Sequence, residues 1–284
     1  MNQQYRPSGF NFLPTVVKNI LIINGLFFMI TILLDTKFGV DLIDILGLHF
    51  PESEKFKPYQ IVSYMFMHGS FSHILFNMLA VWMFGSALES YWGQKRFLIY
   101  YIITGIGAAV IHYGIVYYEM LPTLNYIDEY LANPSIEKFD LFLSSEYFNI
   151  TSVEMQAGFS QFRAEYYSLL NNGKMNDVLQ LSAKYVAEYK VEYLNAPTIV
   201  GASGSLFGLL LAYGMLFPNQ VIYVYLFFSL KAKYFVILYG AIELFSGFYD
   251  NTSNVAHFAH LGGMLFGFIL IKIWGNNRNN YSNF

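Results

Sequence analysis

An all-α membrane protein is the fold class this sequence predicts: six transmembrane helices in one bundle, with an extramembrane helical insert between the third and the fourth. Two observations predict the bundle and a third predicts the insert. Of 284 residues, 55% are hydrophobic and only 12% charged, with a mean hydropathy of +0.39, whereas soluble domains carry about 25% charged residues. Apolar segments recur at roughly 17–35, 71–92, 96–119, 203–217, 234–249 and 255–274, most of them near the ~20 residues that cross about 30 Å of hydrocarbon. Between 120 and 197, Asp, Glu, Lys, Asn and Gln recur every few residues, and no apolar run of spanning length survives.

Met1 to Pro14 is polar and aromatic. It lacks the charged start, short apolar core and small-residue cleavage site of a secretory signal peptide, so residues 1–16 are expected as a cytoplasmic N-terminal segment and the first apolar segment as a retained helix. Arg6 and Lys18 precede segment 1, Lys95 and Arg96 separate 2 from 3, Lys231 and Lys233 separate 4 from 5, and Lys272 and Arg278 close the chain. That bias puts both termini on the cytoplasmic side, together with the polar tail 276–284. Segments 2, 4 and 6 then run inward from the outer face, and their N-terminal ends share one depth. Segments 4 and 5 are short, which a locally thinned bilayer or a position inside the bundle accommodates.

Within the insert, Thr151-Ser152-Val153-Glu154 has capping-box spacing, Met155, Phe159, Phe162, Tyr166 and Leu169 follow at helical period, and Asn171-Asn172-Gly173 is a stop. A second helix, about 176–194, carries Val178, Leu181, Tyr185 and Tyr189 on one face and ends before Pro197. Two short helices bury little apolar surface, so the insert is expected to pack on the first loop or on the membrane core rather than fold independently. It is expected to stand on the outer face as a helical cap that influences which substrates are admitted.

Cysteine is absent, which excludes thiol catalysis, Cys-ligated zinc and a disulfide framework. The net charge of −3, with 16 Lys and Arg scattered singly or in pairs, provides no concentrated basic face and excludes nucleic acid as a partner.

Polar residues and glycines cluster at the shared outer depth. Ser203 lies in Gly201-Ala202-Ser203-Gly204 at the start of segment 4, and His260 opens His260-Leu261-Gly262-Gly263 at the start of segment 6. A serine hydroxyl needs a hydrogen-bonded base to act as a nucleophile, and histidine is the usual base near neutral pH. At a helix N-terminus, the backbone N–H of Ser203 is free to meet a developing oxyanion. His73 and Asn77, at i and i+4 on segment 2, can donate to the same oxygen, although an interhelical polar clasp would use the pair equally. Gly204 with Gly208, and Gly263 with Gly267, form two GxxxG runs. Packing segment 4 on segment 6 through these faces would bring Ser203 and His260 together.

Two further histidine pairs, His68 with His73 and His257 with His260, suit zinc in principle. No HExxH run exists, no acid is expected beside these histidines, and no metal or other cofactor is expected. Glu89 and Glu243 read as buried hydrogen-bonded or cytoplasmic-side structural groups.

This ordered set resembles the rhomboid family of intramembrane serine proteases: His73-x-x-x-Asn77 in the second segment, Gly201-x-Ser203-Gly204 in the fourth, and Ala259-His260-x-x-Gly263-x-x-x-Gly267 in the sixth. The resemblance covers roughly 15–118 and 198–275. It implies a Ser203–His260 dyad without an acidic third member, with His73, Asn77 and the Ser203 backbone as oxyanion donors. Phe207 falls where the family often carries an aromatic that packs on the catalytic histidine. The Trp-Arg pair that many members carry in the first loop is missing between 36 and 58, and the long insert is unusual. The implied partners are membrane protein substrates, single-pass or multi-pass, and membrane lipid. The implied setting is a bacterial plasma membrane. A catalytically silent rhomboid-like protein that binds membrane helices is the alternative from another class.

Overall fold

The computed structural model describes residues 12–150, 153–224, 228–249 and 256–280, and the apolar runs within them are helical. The chain divides into two units, one drawn from Met1–Leu48, Lys57–Tyr113 and Ile199–Phe284 and the other from His49–Phe56 and Gly114–Thr198.

Helix α1 (Thr15–Phe38) starts after Pro14 and ends at Gly39, whose φ of 63° lets its N–H return to the carbonyl of Asp35. Its start is held by a distant acid. The Glu89 carboxylate accepts from the N–H of Val16 at 3.0 Å and of Val17 at 2.8 Å, satisfying two donors that a helix leaves open and placing negative charge at its positive end. After α2 (Leu42–Leu46), β1 (Leu48–His49), α3 (Gln60–Ser63) and a 3-10 turn at Tyr64–Phe66 comes α4 (Phe71–Trp92). The Ser70 hydroxyl accepts from the His73 N–H and caps α4. Helix α5 (Gln94–Ala132) follows directly.

The second unit continues through α6 (Ile136–Ser144), α7 (Val153–Asn171), α8 (Met175–Asn195) and β2 (Thr198–Ile199). The chain then returns to the first unit with α9 (Ser203–Leu216), the hairpin β3 (Val221–Val224) and β4 (Phe228–Lys231), α10 (Ala232–Tyr249) and α11 (His257–Asn280).

Four helical stretches, Thr15–Phe38, Phe71–Trp92, Gln94–Ala132 and His257–Gly275, are long and apolar enough to cross a membrane. Helix α1 exposes Ile22, Leu26, Met29 and Leu33, and α10 exposes Ile237 and Phe245; apolar surface of this extent needs lipid or protein against it. Helix α9 is the opposite case. At 14 residues it is short, but Gly204, Ser205, Phe207, Gly208, Leu209, Leu210, Ala212 and Gly214 are all buried, so it meets other helices over most of its surface.

The structure differs from the sequence reading in several places. The third segment does not stop near 119 but continues as α5 to Ala132, through Pro122. Hydropathy falls there because Glu119, Asp128 and Glu129 enter the sequence, and a helix needs no apolar surroundings to persist. Between segments 4 and 5 the chain forms an antiparallel hairpin, Val221 opposite Lys231 through Val224 opposite Phe228, where only a basic loop was expected. The polar run Asn276–Asn280 is the last part of α11, and 281–284 lie outside the described residues. Thr151 and Ser152, the start of the expected capping box, lie outside the described residues.

The insert has a core of its own. Two helices were expected, and α6 together with the far end of α5 makes it four, with Ile127, Tyr130, Phe139, Phe142, Phe162 and Val186 buried among one another. Tyr185 stacks on Phe162 at 4.2 Å. Gly173, at φ 71°, ends α7: its N–H donates to Leu170 and that of Lys174 to Leu169, a paired arrangement that only a left-handed residue permits. The first loop does join this unit, since the Ser53 hydroxyl donates to Asn195 and Thr198 pairs with His49.

Candidate active site

Four helices of the first unit, α4, α9, α10 and α11, and the turn before α9 build the site. The N–H of Gly201 donates to the Tyr64 carbonyl at 2.9 Å, and Gly201 adopts φ 122°, a left-handed conformation that side chains disfavour. Space demands glycine as well: a β-carbon at 201 would fall 2.7 Å from His73 Nε2 and 3.7 Å from Asn77 Nδ2. The backbone two residues before Ser203 therefore lies directly against both side chains expected to donate to an oxyanion.

Helix α9 is seated on α5 by small residues and hydroxyls. Ser205 donates to the Tyr101 carbonyl at 2.7 Å and Tyr100 to the Gly208 carbonyl at 2.8 Å, while Tyr64 of the 3-10 turn donates to the Gly105 carbonyl of α5 at 2.7 Å. The bare faces of Gly204 and Gly208 point at Ala108 and Thr104 of α5. On its other side α9 meets α11, where Gly263 leaves no room between itself and the Gly204 backbone and Gly267 lies against Gly208. The expected face-to-face pairing of two GxxxG runs is thus modified. Gly263 of α11 admits the α9 backbone, Gly267 admits the Tyr100 hydroxyl of α5 beside Gly208, the glycines of α9 admit α5, and α9 is clamped between the two.

This clamp brings Ser203 and His260 together, with 3.0 Å between Ser203 Oγ and His260 Nε2. Phe207, one turn beyond Ser203, stacks on the His260 ring at 4.1 Å and 8°, which restricts the imidazole to the plane that faces the serine. Ser203 is half-buried, and His260 is buried. Because Ser203 is the first residue of α9, its N–H has no intrahelical partner.

Asn77 is held by a residue the sequence reading treated only as a metal candidate: its Nδ2 lies 3.0 Å from His68 Nε2. One amide hydrogen goes to His68 and a second remains for another acceptor. The ring of His68 also meets that of His73 edge-on at 4.9 Å. His68 thus serves as a bracket for the α4 pair.

The largest departure from expectation is Glu243. Its Oε2 lies 2.8 Å from His260 Nδ1 and 2.7 Å from His257 Nδ1, so an acid does stand beside these histidines. Of the two roles expected for it, the buried hydrogen-bonded one is the role the structure shows. The sequence signal is the basic-residue bias, under which segment 5 is expected to run outward with Glu243 nearer its outer end. Glu243, His257 and His260 form a group whose nitrogen and oxygen atoms all lie within 4.8 Å of one another, a set that could hold a metal ion. The two short contacts have the lengths of hydrogen bonds, and taking a cation there would require both histidines to give up their Nδ1 protons.

Among curated proteins no match is found. A family model described as Rhomboid domain matches residues 55–124 and 143–277, a span that contains every residue of this site and part of the insert. With its apolar helices, that match makes the protein an integral membrane protein, and the chain belongs to the rhomboid family, whose members are usually intramembrane serine proteases.

Proposed function

We propose that this protein is an intramembrane serine endopeptidase, with Ser203 as nucleophile and His260 as base, that cleaves membrane-anchored proteins at or near the outer membrane boundary. The observation that carries this reading is the 3.0 Å contact between Ser203 Oγ and His260 Nε2 in a half-buried site. Ser203 Oγ attacks a substrate carbonyl carbon while its proton passes to His260 Nε2. The carbonyl oxygen becomes an oxyanion, for which the Ser203 N–H, His73 and Asn77 are the donors. Collapse breaks the C–N bond, the amine leaves with the proton from Nε2, and water then hydrolyses the ester on Ser203 with His260 again as base. No cofactor enters these steps.

The substrate must present an accessible carbonyl, and a membrane helix hides its own in hydrogen bonds, so a segment that unwinds locally is the expected substrate. The basic residues assign both termini to the cytoplasmic side. The test is purified full-length protein exposed to a fluorophosphonate probe and to a transmembrane substrate. Wild type should label and cleave, and Ser203→Ala should do neither. A wild-type protein that does neither would instead be a helix-binding relative without catalysis.

A further inference from the structure

We infer that Glu243 positions the base, with His257 behind it, so that the site works as a Ser203–His260–Glu243 triad rather than as a dyad. The inference rests on the proteolytic reading above and assigns a role to an acid outside the sequence motif.

The geometry is a continuous chain of contacts. Ser203 Oγ meets His260 Nε2 at 3.0 Å, His260 Nδ1 meets Glu243 Oε2 at 2.8 Å, and the same oxygen meets His257 Nδ1 at 2.7 Å. A carboxylate only accepts, so each histidine must present a proton on Nδ1 to it. For a neutral His260 this leaves Nε2 bare, which is the tautomer able to accept a proton from Ser203. Once His260 has taken that proton it is an imidazolium, and the negative oxygen beside Nδ1 stabilises it. The Nδ1 proton stays on His260 throughout, and Glu243 itself is never protonated.

The packing places Glu243 for this contact. Gly240, Glu243 and Gly247 lie at i, i+3 and i+7, one face of α10. β-carbons at the two glycines would fall 3.2 Å from Met264 and 3.2 Å from Phe258 of α11, so the helices approach closely on either side of the carboxylate. Glu243 is only 5% exposed, and a buried charge is tolerated where hydrogen bonds satisfy it. A tether between α10 and α11 would need the His257 contact alone. The second contact falls on the ring nitrogen opposite the serine, which a tether does not require. His257 fixes the carboxylate from the other side, and the Phe207 stack on His260 fixes the ring plane, leaving the base one orientation.

The experiment uses the full chain in detergent or liposomes and follows kcat and KM on a transmembrane substrate, the rate of fluorophosphonate labelling, and the melting temperature. Glu243→Gln keeps the volume and an acceptor oxygen but loses the charge. It should lower kcat and the labelling rate at least tenfold, in the direction of the roughly 10⁴-fold loss when a triad acid becomes its amide, with KM within about twofold. Glu243→Asp should recover part of kcat, and His257→Gln should lose less than Glu243→Gln. A folded Glu243→Gln protein with kcat within twofold of wild type would overturn the inference. If that variant does not fold, Glu243→Asp decides, since its shorter side chain withdraws the carboxylate from Nδ1: wild-type kcat there would overturn the inference, and reduced kcat at unchanged KM would support it. Wild-type protein that neither labels nor cleaves removes the proteolytic reading first, and this inference falls with it.

Discussion

Gly263 of α11 lies so close to the carbonyl of Gly204 on α9 that not even a methyl group fits between them. The contact fixes the spacing of the two helices that carry Ser203 and His260. Gly263→Ala should therefore lower both the melting temperature and the labelling of Ser203, and Gly263→Leu should abolish labelling. Overpacking commonly costs about 1–3 kcal/mol, and here the obstacle is backbone that cannot rotate away. Gly25, with open space around it, provides the control: Gly25→Ala should leave both measurements unchanged. Full labelling and an unchanged melting temperature in Gly263→Leu would contradict the contact.

Ser203→Ala and His260→Ala are each expected to abolish cleavage without unfolding the protein, and the double variant should be no worse than either single one, because nucleophile and base act as a unit. Chelators should leave wild-type cleavage unchanged, since no step of the proposed reaction uses a metal ion. Substantial turnover in Ser203→Ala, or loss of activity on chelation restored by added zinc, would contradict the assignment.

His73→Ala and Asn77→Ala should reduce kcat more than they raise KM, as loss of an oxyanion donor costs roughly 3–4 kcal/mol in the transition state. His68→Ala should produce a smaller loss of the same kind, because it frees the Asn77 amide from its 3.0 Å partner without removing the donor. If Asn77→Ala turns over at close to the wild-type rate, the α4 pair is a structural clasp.

The insert should be sensitive to alkali. Burial pushes the hydroxyls of Tyr166, Tyr185 and Tyr189 above the ordinary phenol range. A group with a raised folded-state pKa contributes stability that is complete below its unfolded value and is lost as pH rises toward the folded one. Proteolytic resistance of 114–198 should accordingly decline above about pH 10, the ordinary tyrosine value, and Tyr185→Phe should move that decline to higher pH. Labelling of Ser203 near neutral pH should be unaffected by Tyr185→Phe, since none of its contacts described above involve the insert. An identical decline in wild type and Tyr185→Phe would exclude Tyr185 as a contributor.

The apolar runs, the depth shared by His73, Ser203 and His260, and the glycines beside them were legible along the chain, because lipid imposes spanning length and penalises unpaired polar groups wherever they occur. Helices α7 and α8 were equally legible, from a helical period and the Gly173 stop. Only the folded protein decided what each polar group meets. Seventeen positions separate Glu243 from His260, and nothing in their spacing states that α10 turns its Gly240 and Gly247 face toward α11. Nor does the sequence show that His68 holds Asn77, or that Glu89 closes the start of α1 from 72 positions away along the chain. Hydrophobic length and helical period are local quantities, repeated within a few turns. Side-chain partnership depends on how helices rotate and cross, which packing across the whole bundle decides.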